Sequence, residues 1–165
     1  MKKNIKWIII GILVIAIIGA VISQKEEEEK EANRKKDFTQ NETATYKDVE
    51  YSIVKVEKTK GTNEYFQAKD GYEYVKITVK IENKSNEKIS YNSIDWKLVN
   101  SDGAEDTFGA ITAEKDVLLS SGNLDPQGKV EGVMIWEEKI GDNNLRLRYY
   151  NTIVDKEYTL QFKLD

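Results

Sequence analysis

Asp102, Glu105 and Asp106 crowd one short stretch of this 165-residue chain, Glu137 and Glu138 stand side by side, and Arg146, Arg148 and Tyr150 alternate near the end. These are the residues whose types and spacing could do chemistry. The first trio could supply oxygen ligands to calcium, but that ion needs six to eight oxygens and the stretch lacks the spacing of a helix-loop-helix calcium loop. A solvated acidic turn is the simpler reading. The carboxylate pair could in principle hydrolyse a glycoside without histidine. Adjacent strand residues point to opposite faces, however, which leaves a carboxylate-based hydrolase only a minor alternative. The third group, with Tyr65 and Phe66, suits contact with another molecule, because arginine and tyrosine are enriched where proteins meet. An ordinary solvent face with basic residues accounts for it equally well.

Composition narrows the field further. The chain has no histidine and no cysteine. That removes the commonest general base and metal ligand, and with them Ser-His-Asp and Cys-His catalysis, His/Cys zinc sites, disulfides and a lipid-bearing cysteine. No acid/base constellation can be specified, so no enzyme activity and no cofactor are expected. The formal net charge is −4. Lys2, Lys3 and Lys6 all precede residue 24, so the remainder is more acidic still, and counterion release would not recruit nucleic acid.

The elements that position these residues fall into three segments. Residues 1–23 hold an apolar run from Trp7 to Ser23 behind three lysines. As a helix the run spans roughly 25 Å, at the low end for a bilayer core of about 30 Å, and it exceeds a usual signal core of about 7–15 residues. It reads as a membrane anchor, with Trp7 at headgroup level. Cleavage after Ser23, with Val21 at the −3 position, is the alternative and would release a secreted protein. Basic residues flank the run on both sides, Lys25, Lys30, Arg34, Lys35 and Lys36 lying after it, so charge does not fix orientation. Residues 24–43 are polar. Glu26–Lys30 and Glu31–Lys35 are acid-first i,i+4 pairs that would support a helical stalk; a solvated linker is the other reading.

Residues 44–165 change to short alternating segments. Val75, Ile77, Val79 and Ile81 share one parity, as expected of a half-buried strand. So do Tyr158, Leu160, Phe162 and Leu164; Ile94, Trp96 and Leu98; and Leu145, Leu147 and Tyr149. Val130, Gly132, Met134 and Trp136 form a fifth set, and Val133 and Ile135 make that strand apolar on both faces, which places it near the middle of a sandwich. Alternation turns Trp136 and Tyr149 inward and leaves Tyr150 outward. Val49, Tyr51 and Ile53 share a parity that Val54 and Val56 break, so a bulge is expected near Ile53. Asp70-Gly71, Asn100 to Gly103 and Gly141 to Asn144 supply turns. Ala110 to Leu118 has room for one helical turn. About seven strands in some 120 residues predict an all-β antiparallel sandwich of immunoglobulin type, preceded by one transmembrane helix.

Three stretches, GYEYVKITVKIENKSNEKISYNSIDWKLVNSDG, LDPQGKVEGVMIW and NLRLRYY, together resemble a family of bacterial extracytoplasmic domains of unknown function with a telokin-like, immunoglobulin-like sandwich. The pattern falls on Asn83-Lys84-Ser85, Asp102-Gly103, Pro126, Gly132 and Trp136 and covers most of Tyr46 to Leu164. Here Pro126-Gln127-Gly128 replaces a direct Pro-Gly, and the cysteine of the family's lipoproteins is missing. The resemblance implies a Gram-positive cell envelope, a domain outside the membrane and a protein or envelope partner. It implies no catalytic residue.

Overall fold

The computed structural model describes residues 20–25, 29, 31, 33–107, 118–152 and 154–164. The chain divides into two units, Met1–Lys35 and Lys36–Asp165. In the first, residues 20–25, Glu29 and Glu31 are helical, and Arg34 Nε binds Glu31 Oε1 at 3.0 Å. Among the described residues no helix is long and apolar enough to cross a membrane. Most of the Trp7–Ser23 run and both Glu26 and Lys30 lie outside them, as does nearly all of Ala110 to Leu118.

The second unit is a β-sandwich. It begins earlier than residue 44, because the first strand falls inside the stretch read as stalk. A five-stranded sheet runs β1 (Asp37–Thr39), β13 (Leu160–Lys163), β12 (Arg146–Tyr149), β8 (Trp96–Val99), β9 (Glu105–Thr107). A four-stranded sheet runs β11 (Lys129–Lys139), β6 (Tyr72–Asn83), β3 (Val49–Thr59), β2 (Thr43–Tyr46). Two short ribbons flank them: β4 (Gly61–Asn63) with β5 (Phe66–Gln67), and β7 (Ile89–Tyr91) with β10 (Gly122–Leu124). The described residues thus hold thirteen strands where about seven were expected. Seven of them have four residues or more; the other six have two or three, too few to show a period of two. The sandwich is not wholly antiparallel either, since β1 pairs with β13 in parallel.

Apolar side chains of both sheets meet in one core. Val75, Ile77, Val79 and Ile81 of β6 are buried with Trp96, Leu98, Leu147, Leu160 and Phe162 of the opposing sheet. Trp136 is buried as expected, and its Nε1 donates to the Asp106 carbonyl at 3.0 Å, linking β11 to β9. The phase break in β3 is a register shift between Ile53 and Lys55, with Val54 left half exposed.

Two inward assignments fail. Ile94 is half exposed because it sits in a 3-10 turn, Ser93–Asp95, where the Asn92 side chain accepts from its N–H at 3.3 Å and takes the chain off the strand period. Tyr158 precedes β13 and is only half buried. The doubly apolar strand β11 is at the end of its sheet, not in the middle. Its outer edge is covered by the segment at Leu118 and Leu119, whose Leu119 N–H donates to the Val133 carbonyl at 2.9 Å. Gly132 permits that approach, since a Cβ there would sit 2.7 Å from the Leu119 backbone.

Asn83 joins the β6 end to the turn before β11. Fully buried, it donates through Nδ2 to the carbonyls of Glu87 (2.7 Å), Leu124 (3.1 Å) and Asp125 (3.1 Å), and its Oδ1 accepts from Ser85 N–H and Oγ. Three carbonyls with one amide leave little room for substitution. The Asn-Lys-Ser signature is therefore a structural clasp. Beside it, Gln127 and not Gly128 takes the positive φ of the Pro-Gln-Gly turn.

Candidate functional site

Two hollows open on the sandwich. They flank the end of β12, with Tyr149 lining one and Tyr150, the residue after the strand, lining the other.

The first is a groove of about 340 Å³ lined by Lys36, Glu105, Arg148, Tyr150, Lys156, Glu157 and Tyr158. Arg148 is its centre. Nη1 binds Glu105 Oε1 at 2.6 Å, Nε donates to Gln161 Oε1 at 2.8 Å, and the guanidinium lies 4.7 Å from the centre of the Tyr158 ring. The Tyr150 hydroxyl donates to the same Glu105 oxygen at 2.5 Å, and Lys97 meets Glu105 Oε2 at 3.3 Å while sitting over the Tyr150 ring. Burial pushes the Glu105 carboxyl up, but Tyr150, Arg148 and Lys97 outweigh it and hold it below its ordinary value. Burial and then Glu105 push the Tyr150 hydroxyl up to about 12. Tyr150 is thus buried and engaged, not the exposed contact expected of it. Tyr158 and Gln161 both donate to Asp37 Oδ1, at 3.1 and 2.7 Å, which carries the network to β1.

The structure brings Arg148, Tyr150 and Glu105 together and disperses the rest. Arg146 lies outside the groove and donates through Nη2 to the Asn100 carbonyl at 3.4 Å. Tyr65 is highly exposed at the turn of the β4–β5 ribbon, with Phe66 half buried beside it. Asp102 pairs with Lys139 at 3.0 Å, away from Glu105, so the acidic trio is divided among different partners. Among the described residues no group of three or more acidic side chains is placed to hold a metal ion. Glu137 pairs with Lys69 at 2.6 Å, which keeps its carboxyl low. Glu138 is buried with one oxygen unpartnered, and burial, reinforced by Asp106, raises it to about 7.

The second hollow, about 310 Å³, was not foreseen. Tyr46, Lys47, Val49, Tyr51, Lys88, Ile89, Ser90, Asp95, Tyr149 and Asn151 line it. Behind it, the Tyr51 and Tyr149 rings lie 4.7 Å apart and Trp96 lies 5.1 Å from Tyr149. Burial drives the Tyr51 hydroxyl well above its ordinary value and raises that of Tyr149. The β2–β3 hairpin turns through Lys47 and Asp48 at φ of 49° and 57°. Two consecutive positive φ angles mark a primed turn, normally given to asparagine and glycine. Lysine at the first of these positions and aspartate without a following glycine hid the turn from the sequence.

A domain-of-unknown-function family, DUF4352, matches residues 38–159. The chain belongs to that family. The DUF4352 sandwich is similar to the yjhA protein of Bacillus subtilis, with TM-score 0.64 and 22% identity over 78% of this chain and 99% of that one. It is also similar to the candidate lipoprotein ycdA of Bacillus subtilis, with TM-score 0.62 and 18% identity over 74% of this chain and 38% of that one. The secreted protein MPT63 of Mycobacterium tuberculosis shares the fold at TM-score 0.60 and 9% identity, over 79% of this chain and 98% of that one. No curated protein matches the chain.

Proposed function

We propose that this DUF4352 protein is a membrane-tethered extracytoplasmic β-sandwich that binds a protein or cell-envelope partner through the groove around Arg148. The observation that carries the reading is the groove itself, where an arginine, two tyrosines and two lysines share one hollow with two glutamates, and Arg148 and Tyr150 both bind Glu105. Such groups suit contact at an interface. The Trp7–Ser23 run, long for a signal core, supports the tether. An extracytoplasmic address is supported by a fold shared with a candidate lipoprotein and a secreted protein. The lack of histidine and cysteine favours binding over catalysis.

Crosslinking intact cells and comparing wild type with Arg148→Glu tests the groove. The expected result is one envelope partner captured by wild type and lost in the variant; equal capture by both overturns the reading. Fractionation with an antibody to the sandwich tests the tether. A membrane-bound product carrying the original N-terminus is expected. A soluble product beginning at Gln24 would establish the second reading, a secreted sandwich, which Val21-Ile22-Ser23 keeps open.

A further inference from the structure

The hollow beside Tyr149 holds two opposite charges that do not meet. Among the described residues the Asp95 carboxylate accepts no hydrogen bond and joins no ion pair, although it is half buried. Desolvation raises it to about 6, with no donor to offset the cost. A carboxylate withdrawn from water without a donor is destabilising, so it marks a place where a donor is wanted. Lys47 lines the same hollow. Its ammonium lies 5.2 Å from the centre of the Tyr46 ring, and no carboxylate pairs with it among the described residues. The other lysine of the lining, Lys88, is engaged with Asp125 at 2.9 Å.

A ligand bearing only a positive charge would satisfy Asp95 and be repelled by Lys47. A ligand bearing only a negative charge would meet the reverse. One carrying both, a few bonds apart, answers both groups. Val49 and Ile89 add an apolar wall. A volume of about 310 Å³ matches the lower end of small-molecule sites, about 300–1,000 Å³. We propose that this hollow binds a zwitterion of the α-amino-acid class, its ammonium on Asp95, its carboxylate toward Lys47 and an apolar side chain against Val49 and Ile89. This site does not depend on the Arg148 groove or on any macromolecular partner there.

The test uses the full chain in deuterated detergent and three probes that differ only in charge: leucine, isoamylamine and 4-methylpentanoate. Saturation-transfer NMR should show leucine binding saturably, about tenfold tighter than either single-charge analogue. Below pH 6 its affinity should fall as Asp95 is protonated, by about tenfold per pH unit. Asp95→Asn should abolish leucine binding while the protein melts no lower than wild type at pH 7. Lys47→Met, at an exposed turn position, should reduce leucine to the affinity of isoamylamine and leave isoamylamine binding unharmed. The proposal is overturned if leucine gives no saturable signal, if either analogue binds as tightly, or if both variants retain wild-type affinity for leucine.

Discussion

Tyr149 ends β12 and Tyr150 follows it, yet the two regions they serve treat a carboxylate in opposite ways. On the Tyr150 side, Glu105 is surrounded by donors: a hydroxyl, a guanidinium and an ammonium. On the Tyr149 side, Asp95 has rings for neighbours and no donor among the described residues. The first carboxyl is held below its ordinary value and the second is raised to about 6. Burial acts upward on both, so hydrogen bonding decides the sign. A satisfied network stabilises the fold it belongs to. An unsatisfied carboxylate costs stability, so Asp95 has a need for a donor that Glu105 does not.

The largest effect should come from Tyr149→Ala, which strips a buried ring from its contacts with Tyr51 and Trp96. A loss of about 3–5 kcal/mol is expected in urea denaturation, the range for large aromatic truncations in cores. A loss under about 1 kcal/mol would mean that the ring belongs to the surface and not to the core. Tyr150→Phe keeps the ring and deletes the hydroxyl that meets Glu105. About 1.5 kcal/mol should be lost, because the acceptor is charged.

Asp95→Asn should run the other way, gaining on the order of 1 kcal/mol at pH 7 once partial exposure is allowed for. The sign follows from linkage. A carboxyl raised from 3.8 to about 6 binds its proton more tightly when folded, so its favourable contribution is present at low pH and lost as pH rises through that interval. The gain should therefore vanish near pH 3 in denaturation series. Glu105, lowered by its donors, supports the fold above its ordinary value and loses that support as pH falls. Glu105→Gln should flatten the acid limb of the same series, and an unchanged limb would break the contrast. Smallest of all, Arg148→Met should cost less than about 1 kcal/mol, as expected of a partly exposed ion pair, while removing the capture activity proposed for the groove.

Legibility in the sequence divides along the same line. Positions governed by period-two alternation were readable: the buried face of β6, the inward Leu145, Leu147 and Tyr149, and the β3 bulge, whose phase slip is printed in Val49 to Val56. Asn83-Lys84-Ser85 and Trp136 carried the family, and the family model agrees. What escaped was whatever tertiary contact decides. Tyr150 has the parity of a solvent residue but is covered from β9 by Glu105 and from β8 by Lys97, pairings that join residues about fifty apart. The hollow escaped for a different reason. Its walls come from a hairpin turn with lysine where asparagine or glycine is usual, a short ribbon strand and a 3-10 turn, none of which leaves a periodic trace.

The parallel pairing of β1 with β13 has a mechanical consequence. In a parallel pair the start of one strand and the end of the other lie at opposite ends of the ladder. A pull on Lys36, opposed by a pull on the C-terminal residues, would run along Asp37–Thr39 and Leu160–Lys163, loading their hydrogen bonds together in shear. Antiparallel neighbours pulled from the same end would open one bond at a time. Force arriving through the segment before Lys36 therefore meets the joint where the sandwich is clasped in its more resistant direction.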